Sequence, residues 1–113
     1  MEKENRLIAE FMGWTLDNED LKSYRRLNVN TFEYSLLSNF KYHSSWDWLI
    51  PVVEKIEMLG FKIEKNFQPI DNDWQCLVVK GNNILLQEFN EDSIKAMHYV
   101  VSAFIKMYNY KNK

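Results

Sequence analysis

Between Phe61 and Phe89 the chain offers three strand-like runs in succession, with connections too short to hold a helix. Phe61-Lys62-Ile63-Glu64-Lys65 alternates apolar and charged residues, the period of a strand with one buried face. Trp74-Gln75-Cys76-Leu77-Val78-Val79 is apolar on both faces, as a central strand requires. Ile84-Leu85-Leu86-Gln87-Glu88-Phe89 forms the return strand. Gln68 to Asp73, with Pro69, Asp71 and Asn72, reads as a turn, and Gly81-Asn82 or Asn82-Asn83 supplies the positive φ of a tight hairpin. Neighbouring strands joined this closely run antiparallel, because a parallel return needs a long crossover. The fold class follows: α+β, a three- to four-stranded antiparallel meander with helices packed mainly on one face.

The helices lie on either side of this block. Leu7, Ile8, Phe11 and Met12 recur at helical spacing over residues 3–12, with Gly13 at the C-terminus and Trp14 as a hydrophobic closer. Leu49, Val52, Val53, Ile56 and Leu59 build the apolar face of a second helix from about Ser45 to Leu59. Ser44 with Asp47 reads as its capping box, Pro51 removes one backbone donor, and Gly60 ends it. The last helix takes Asn90 as its N-cap, with Glu91 and Asp92 in the first turn and a staple between Phe89 and Ile94. Its stripe is Ile94, Met97, Val101, Phe104, Ile105 and Tyr108. Residues 14–41 carry two signals. Asp17 or Asn18 can cap a short helix through Leu27, whereas Phe32, Tyr34 and Leu36 alternate like a strand. The expected order is α, an α-or-β segment, α, β, β, β, α, in a single domain over residues 1–113.

Composition narrows the function. A chain of 113 residues with 46% hydrophobic and 15% aromatic side chains can bury one core. A net charge of −2 is too small for a nucleic-acid mimic and has the wrong sign for a general nucleic-acid binder. The lone Cys76 forms no internal disulfide and suits a reducing cytoplasm. No signal peptide and no membrane span is legible. Three glycines leave no phosphate-cradling loop.

The densest group of polar and aromatic side chains is Tyr42-His43-Ser44-Ser45-Trp46-Asp47-Trp48. Tyr42, His43, Ser45, Trp46 and Asp47 are the candidate binding residues. A hydrolase reading would use His43 with Ser45 or Asp47, but sequence neighbours rarely reach triad geometry and no nucleophile elbow accompanies them. A capping serine and a backbone-bound histidine fit better, so no catalytic residue is assigned. His43, His98 and Cys76 are too few and wrongly spaced for a structural metal site, and no cofactor is expected. Lys22, Tyr24, Arg25 and Arg26 form the one basic cluster. It is a candidate for nucleic-acid contact, or the solvated face of a short helix. Four tryptophans exceed what a small core hides with every indole N–H satisfied. Trp48 and Trp74 read as core anchors and Trp46 as partly exposed. Leu77, Val79 and Leu85 would leave an apolar sheet face, and so a homodimer contact, if the helices cover only the other side.

Three blocks carry a resemblance: Leu7-Ile8-Ala9-Glu10-Phe11-Met12-Gly13, the run from Tyr42 to Glu57, and Val100-Val101 with Phe104-Ile105-Lys106-Met107-Tyr108-Asn109. Together they resemble a family of small uncharacterised proteins from phages, prophages and mobile elements of Bacteroidetes-type bacteria. Met107 departs from that family's pattern, which has Trp there. The resemblance implies a mobile-element context inside a bacterial cell and assigns no activity to any residue. The expectation is a non-enzymatic accessory protein that binds a host protein or sequesters a small ligand, with a counter-defence role.

Overall fold

The computed structural model describes residues 1–112, and the fold is α+β. Helix α1 (Glu2–Phe11) leads into strands β1 (Thr15–Asn18), β2 (Ser23–Asn28) and β3 (Thr31–Leu36) and a 3-10 turn at Leu37–Asn39. Helix α2 (Trp46–Met58) follows, then β4 (Lys62–Gln68), β5 (Asp73–Lys80), β6 (Asn83–Asn90) and α3 (Ser93–Lys111). Two three-stranded antiparallel sheets result, ordered β1-β2-β3 and β4-β5-β6.

The second sheet is the meander expected from the sequence, with Gly81 at φ 62° in its tight hairpin. Register places Ile63, Val78 and Leu86 on one face, and α3 lies across β5 and β6 there. Helix α1 packs on α3, and α2 on β4 and α3. The centre holds Ile8, Leu49, Val52, Ile56, Cys76, Val78, Val100, Val101, Phe104 and Ile105, all fully buried. At roughly 1.5–3 kcal/mol for each buried large apolar side chain, this core needs no metal or disulfide. The Lys55 ammonium ties α2 to α1: it donates to the Phe11 carbonyl and lies 4.6 Å above the Phe11 ring.

The opposite face of the second sheet is more polar than the sequence suggests. Gln68 donates to Gln75, and Gln75 to Gln87, forming a ladder across all three strands. Leu77 is only 5% exposed beneath it. Leu85 sits in the bulge opposite Val78 and Val79 and lines a groove with Phe61, Met107 and Tyr108 at the helix-covered end.

Several local expectations are corrected. The segment from Asp17 to Leu27 is no helix but β1, a turn and β2. Alternation in Phe32-Glu33-Tyr34-Ser35-Leu36 outweighed the capping signal at Asp17 and Asn18, because β3 gives β2 a partner along its whole length. Asp92 replaces Asn90 as the N-cap of α3, its side chain accepting from Ile94 N at 3.1 Å. Asn90 closes β6 and accepts from Asp92 N at 2.9 Å. Ser45 is the extended N-cap residue of α2 with no side-chain cap bond, so the Ser44–Asp47 capping box does not form. Trp14 is the buried indole, while Trp48 and Trp74 pack against the core as expected and keep partial exposure, as Trp46 does.

Gly13, at φ 95°, turns the chain from α1 toward β1 and lets Trp14 N bond back to Ala9 O at 3.0 Å. That return drops the Trp14 indole against Phe40, with ring centroids 5.1 Å apart. Trp14 and Phe40 thereby join the first sheet to the main core. The radius of gyration, 15.0 Å, exceeds the roughly 13 Å of a compact chain of this length, and the long axis is 47 Å.

Candidate functional site

An open groove of about 490 Å³ lies between the first sheet and the start of α2. Its sheet side is built by strand alternation. Arg26 and Glu33 are directly opposed on β2 and β3 and point the same way. Arg26 Nε and Nη2 donate to Glu33 Oε1 at 2.8 and 2.7 Å. The guanidinium lies 4.6 Å over the Trp14 ring, a geometry that uses its charge and its flat face together. The helix side is formed by Asp47, Trp48 and Pro51, with Tyr42 beneath them. Tyr42 meets Trp48 edge to face at 5.3 Å and 88°, and Trp48 packs on Phe40. Burial pushes the Tyr42 hydroxyl up to about 12, partly offset by the Arg26 charge and the nearby Trp14 indole N–H.

Two polar features of this groove lack partners. Asp47, exposed on the first turn of α2, makes no ion pair or side-chain hydrogen bond among the described residues. Pro51, one turn on, cannot return the helical hydrogen bond to the Asp47 carbonyl. The buried Trp14 Nε1 has no hydrogen-bond partner, approaching the Tyr42 hydroxyl without reaching bonding geometry. An unpaired buried donor costs about 1–3 kcal/mol. Nearby, the fully buried Tyr24 hydroxyl is also unpaired.

The candidate binding residues divide between four places. Tyr42 and Asp47 line the groove. Trp46 turns toward the second sheet, where the Lys65 ammonium lies 4.8 Å from its ring and 5.2 Å from that of Trp74. Ser45 starts α2 through its carbonyl, which accepts from Trp48 N and Leu49 N, and its side chain makes no cap bond. His43 belongs to a polar cluster on the side of α1 and α3. The Asn5 amide nitrogen donates to His43 Nδ1 at 2.7 Å and to the Phe40 carbonyl at 3.2 Å, while Asn5 Oδ1 accepts from His98 Nε2 at 3.0 Å. Those bonds assign both imidazoles the Nε2–H tautomer. Burial, reinforced by the His43 ring, lowers the His98 pKa to about 4, so His98 is neutral at pH 7. No serine hydroxyl or carboxylate shares a hydrogen bond with His43 among the described residues.

The basic cluster is likewise dispersed. Lys22 bonds Glu2 at 2.9 Å, Tyr24 is fully buried, and Arg26 turns into the groove. Arg25 points to the other face of β2, 3.9 Å from Asp17 and over the Phe32 ring. A strand alternates its side chains across two faces, so these residues form no common surface, helical or otherwise. Cys76 is buried in β5, and burial raises its thiol to about 11. No group of three metal-capable side chains occurs among the described residues, and no described helix is long and apolar enough to cross a membrane.

Sequence reasoning missed Trp14, Arg26, Glu33 and Trp48 as groove residues. The Arg26–Glu33 pair becomes visible only once the β2–β3 register is known, and the Asn28-Val29-Asn30-Thr31 turn lacks the glycine that would have signalled it. Compared with protein-family models, curated proteins and solved structures, the chain matches none.

Proposed function

We propose that this chain is a non-enzymatic binding protein that holds its ligand in the groove between β3 and α2. The carrying observation is the unpartnered Asp47 carboxylate beside the partly exposed Trp48 ring. Arg26 and Glu33 neutralise each other at the floor, which leaves Asp47 as the charge free to select a ligand. The Trp48 ring, held in place by the buried Tyr42 and Phe40 rings, supplies apolar area without ordering long flexible chains. In this reading the protein is an accessory product of a phage or mobile element, and its ligand belongs to the bacterial host, with a counter-defence outcome. That context is carried by the resemblance of the α1, α2 and α3 blocks alone.

The test is a screen of small cations, metabolites and short peptides by amide and indole NMR shifts on the labelled protein. Shifts should cluster on the Trp14 and Trp48 indoles and the Asp47 amide, and Asp47→Asn should weaken the binding that causes them. Ligands that instead move His43 and His98, or a turnover lost in His43→Ala at unchanged melting temperature, would overturn the proposal in favour of an enzyme.

A further inference from the structure

The four sheet edges of this fold are not equally protected. Strand β1 has four residues, a bulge between Leu16 and Asn18, and the acidic Asp17. Edge strand β4 carries Lys62, Glu64 and Lys65. At the other side of that sheet, β6 carries a bulge and Glu88. Such devices deter unplanned strand pairing. Strand β3 has none: it is six residues long and regular, without Lys or Pro, and its single charge, Glu33, is taken by Arg26.

The backbone of β3 is also oriented for pairing. Leu37 N donates to Lys22 O at 2.9 Å, continuing the β2–β3 ladder. Bonding direction alternates along a strand. Thr31, Glu33 and Ser35 therefore point their main-chain groups at β2, and Phe32, Tyr34 and Leu36 point theirs to the open side. On that side lies the groove, with Glu33, Tyr34 and Ser35 along one wall and Asp47, Trp48 and Pro51 along the other. The outward face of the same sheet is apolar: Leu27, Phe32, Tyr34 and Leu36 are each 45% exposed or more.

Resting on the groove reading above, we propose that the occupant is an extended segment of a partner protein, added to the sheet along β3 and alternating basic and apolar residues. Side chains of an added strand alternate between the two faces. Its inward residues enter the groove, where the partly exposed Trp48 ring and the exposed Asp47 carboxylate lie together. Arg26 being matched by Glu33, the groove lining carries a net charge of one negative unit from Asp47. Lysine or arginine fits that combination of ring and carboxylate. Its outward residues extend the apolar face of Leu27, Phe32, Tyr34 and Leu36. A second copy of β3 is a poorer occupant. Its own inward residues would be Thr31, Glu33 and Ser35, and with Glu33 already held by Arg26 none of them brings a free cation to Asp47.

The test uses three short peptides: alternating valine and lysine, alternating valine and glutamate, and the first again with alternate amides N-methylated. Binding is read by calorimetry and by tryptophan fluorescence. The valine–lysine peptide should bind roughly tenfold more tightly than its glutamate counterpart, shift the Phe32, Tyr34 and Leu36 amides, and lose binding when methylated. Asp47→Lys, at an exposed position whose side chain makes no hydrogen bond or ion pair, should reverse the charge preference. Three results would overturn the proposal: equal binding of the methylated peptide, a charge preference untouched by Asp47→Lys, or no saturable binding of the valine–lysine peptide. If that peptide fails while tetramethylammonium still shifts the Trp48 indole, strand addition is wrong and the groove reading stands. If neither probe moves the groove resonances, both fall. Light scattering that finds a dimer abolished by Tyr34→Pro would replace the partner segment with a second copy.

Discussion

Asn5 on α1 and His98 on α3 are joined by a 3.0 Å hydrogen bond between Oδ1 and Nε2, and both side chains are at least 96% buried. The same Asn5 amide reaches His43 and the Phe40 carbonyl. One side chain thus links the first helix, the last helix and the loop leading into α2. Ser102 Oγ donates to His98 O at 2.8 Å one turn along. The polar group enclosed among these elements is satisfied through Asn5, and its satisfaction fixes how α1 sits on α3.

Asn5→Ala should therefore destabilise the protein by about 2–4 kcal/mol, because it strands the His98 N–H and the Phe40 carbonyl in a buried site. Urea unfolding followed by far-UV circular dichroism measures the loss. A change below about 0.5 kcal/mol, the range of ordinary surface substitutions, would show that the network is not structural.

Stability should also fall in mild acid. The His98 pKa is lowered to about 4 by burial and by the neighbouring His43, while in the unfolded chain it returns to about 6.5. Above 6.5 both states are neutral. As pH drops from 6.5 toward 4 the unfolded state binds a proton that the native state refuses, so the native state loses stability, by roughly 3 kcal/mol at the lower end. Glu2, bonded and paired to Lys22, is held below its ordinary value, so its contribution disappears at lower pH still. Unfolding midpoints measured across this window should decline in the wild type and flatten in His98→Gln.

The legible parts of this chain were those whose information is local. Alternation in Phe61–Lys65 and Ile84–Phe89, Gly13 after α1 and the apolar stripe of α3 each appear within a few residues, and each element formed. The first sheet was harder because its turns depend on residues with no turn signature, such as Lys22 at φ 51° and Val29 at φ 60°. The groove was illegible for a deeper reason. Trp14 in the α1–β1 connection, Arg26 on β2, Glu33 on β3 and Trp48 on α2 lie in four separate segments, and no spacing rule connects them. Within the polar run at 42–48, the sequence located Tyr42 and Asp47 but had no means of seeing that His43 faces away toward Asn5.

Tyr24→Phe offers a clean measurement of an unpaired buried hydroxyl. Tyr24 is fully buried, stacks edge-on against Phe40 at 5.6 Å, and its hydroxyl has no partner. Removing the oxygen keeps the ring and its packing and relieves the desolvation of a polar atom. Thermal unfolding should show a variant as stable as the wild type or more stable by about 1 kcal/mol. A loss of that size would mean that the hydroxyl is bonded, through water or otherwise.

Val29 occupies the tip of the β2–β3 hairpin at φ 60°, 85% exposed to solvent. Left-handed backbone is unfavourable for a β-branched residue, by roughly 1–2 kcal/mol, whereas asparagine adopts it readily. Because Val29 buries almost nothing in the isolated chain, Val29→Asn should relieve that strain with little offsetting loss and stabilise the protein by about 1 kcal/mol. The gain should appear as slower amide exchange at Arg26, Asn28, Thr31 and Glu33, whose amides bond across the hairpin, since the turn holds this register. If the tip also contacts a partner, the same substitution should weaken partner binding while raising the melting temperature, separating the role of the exposed valine in contact from its cost in the fold.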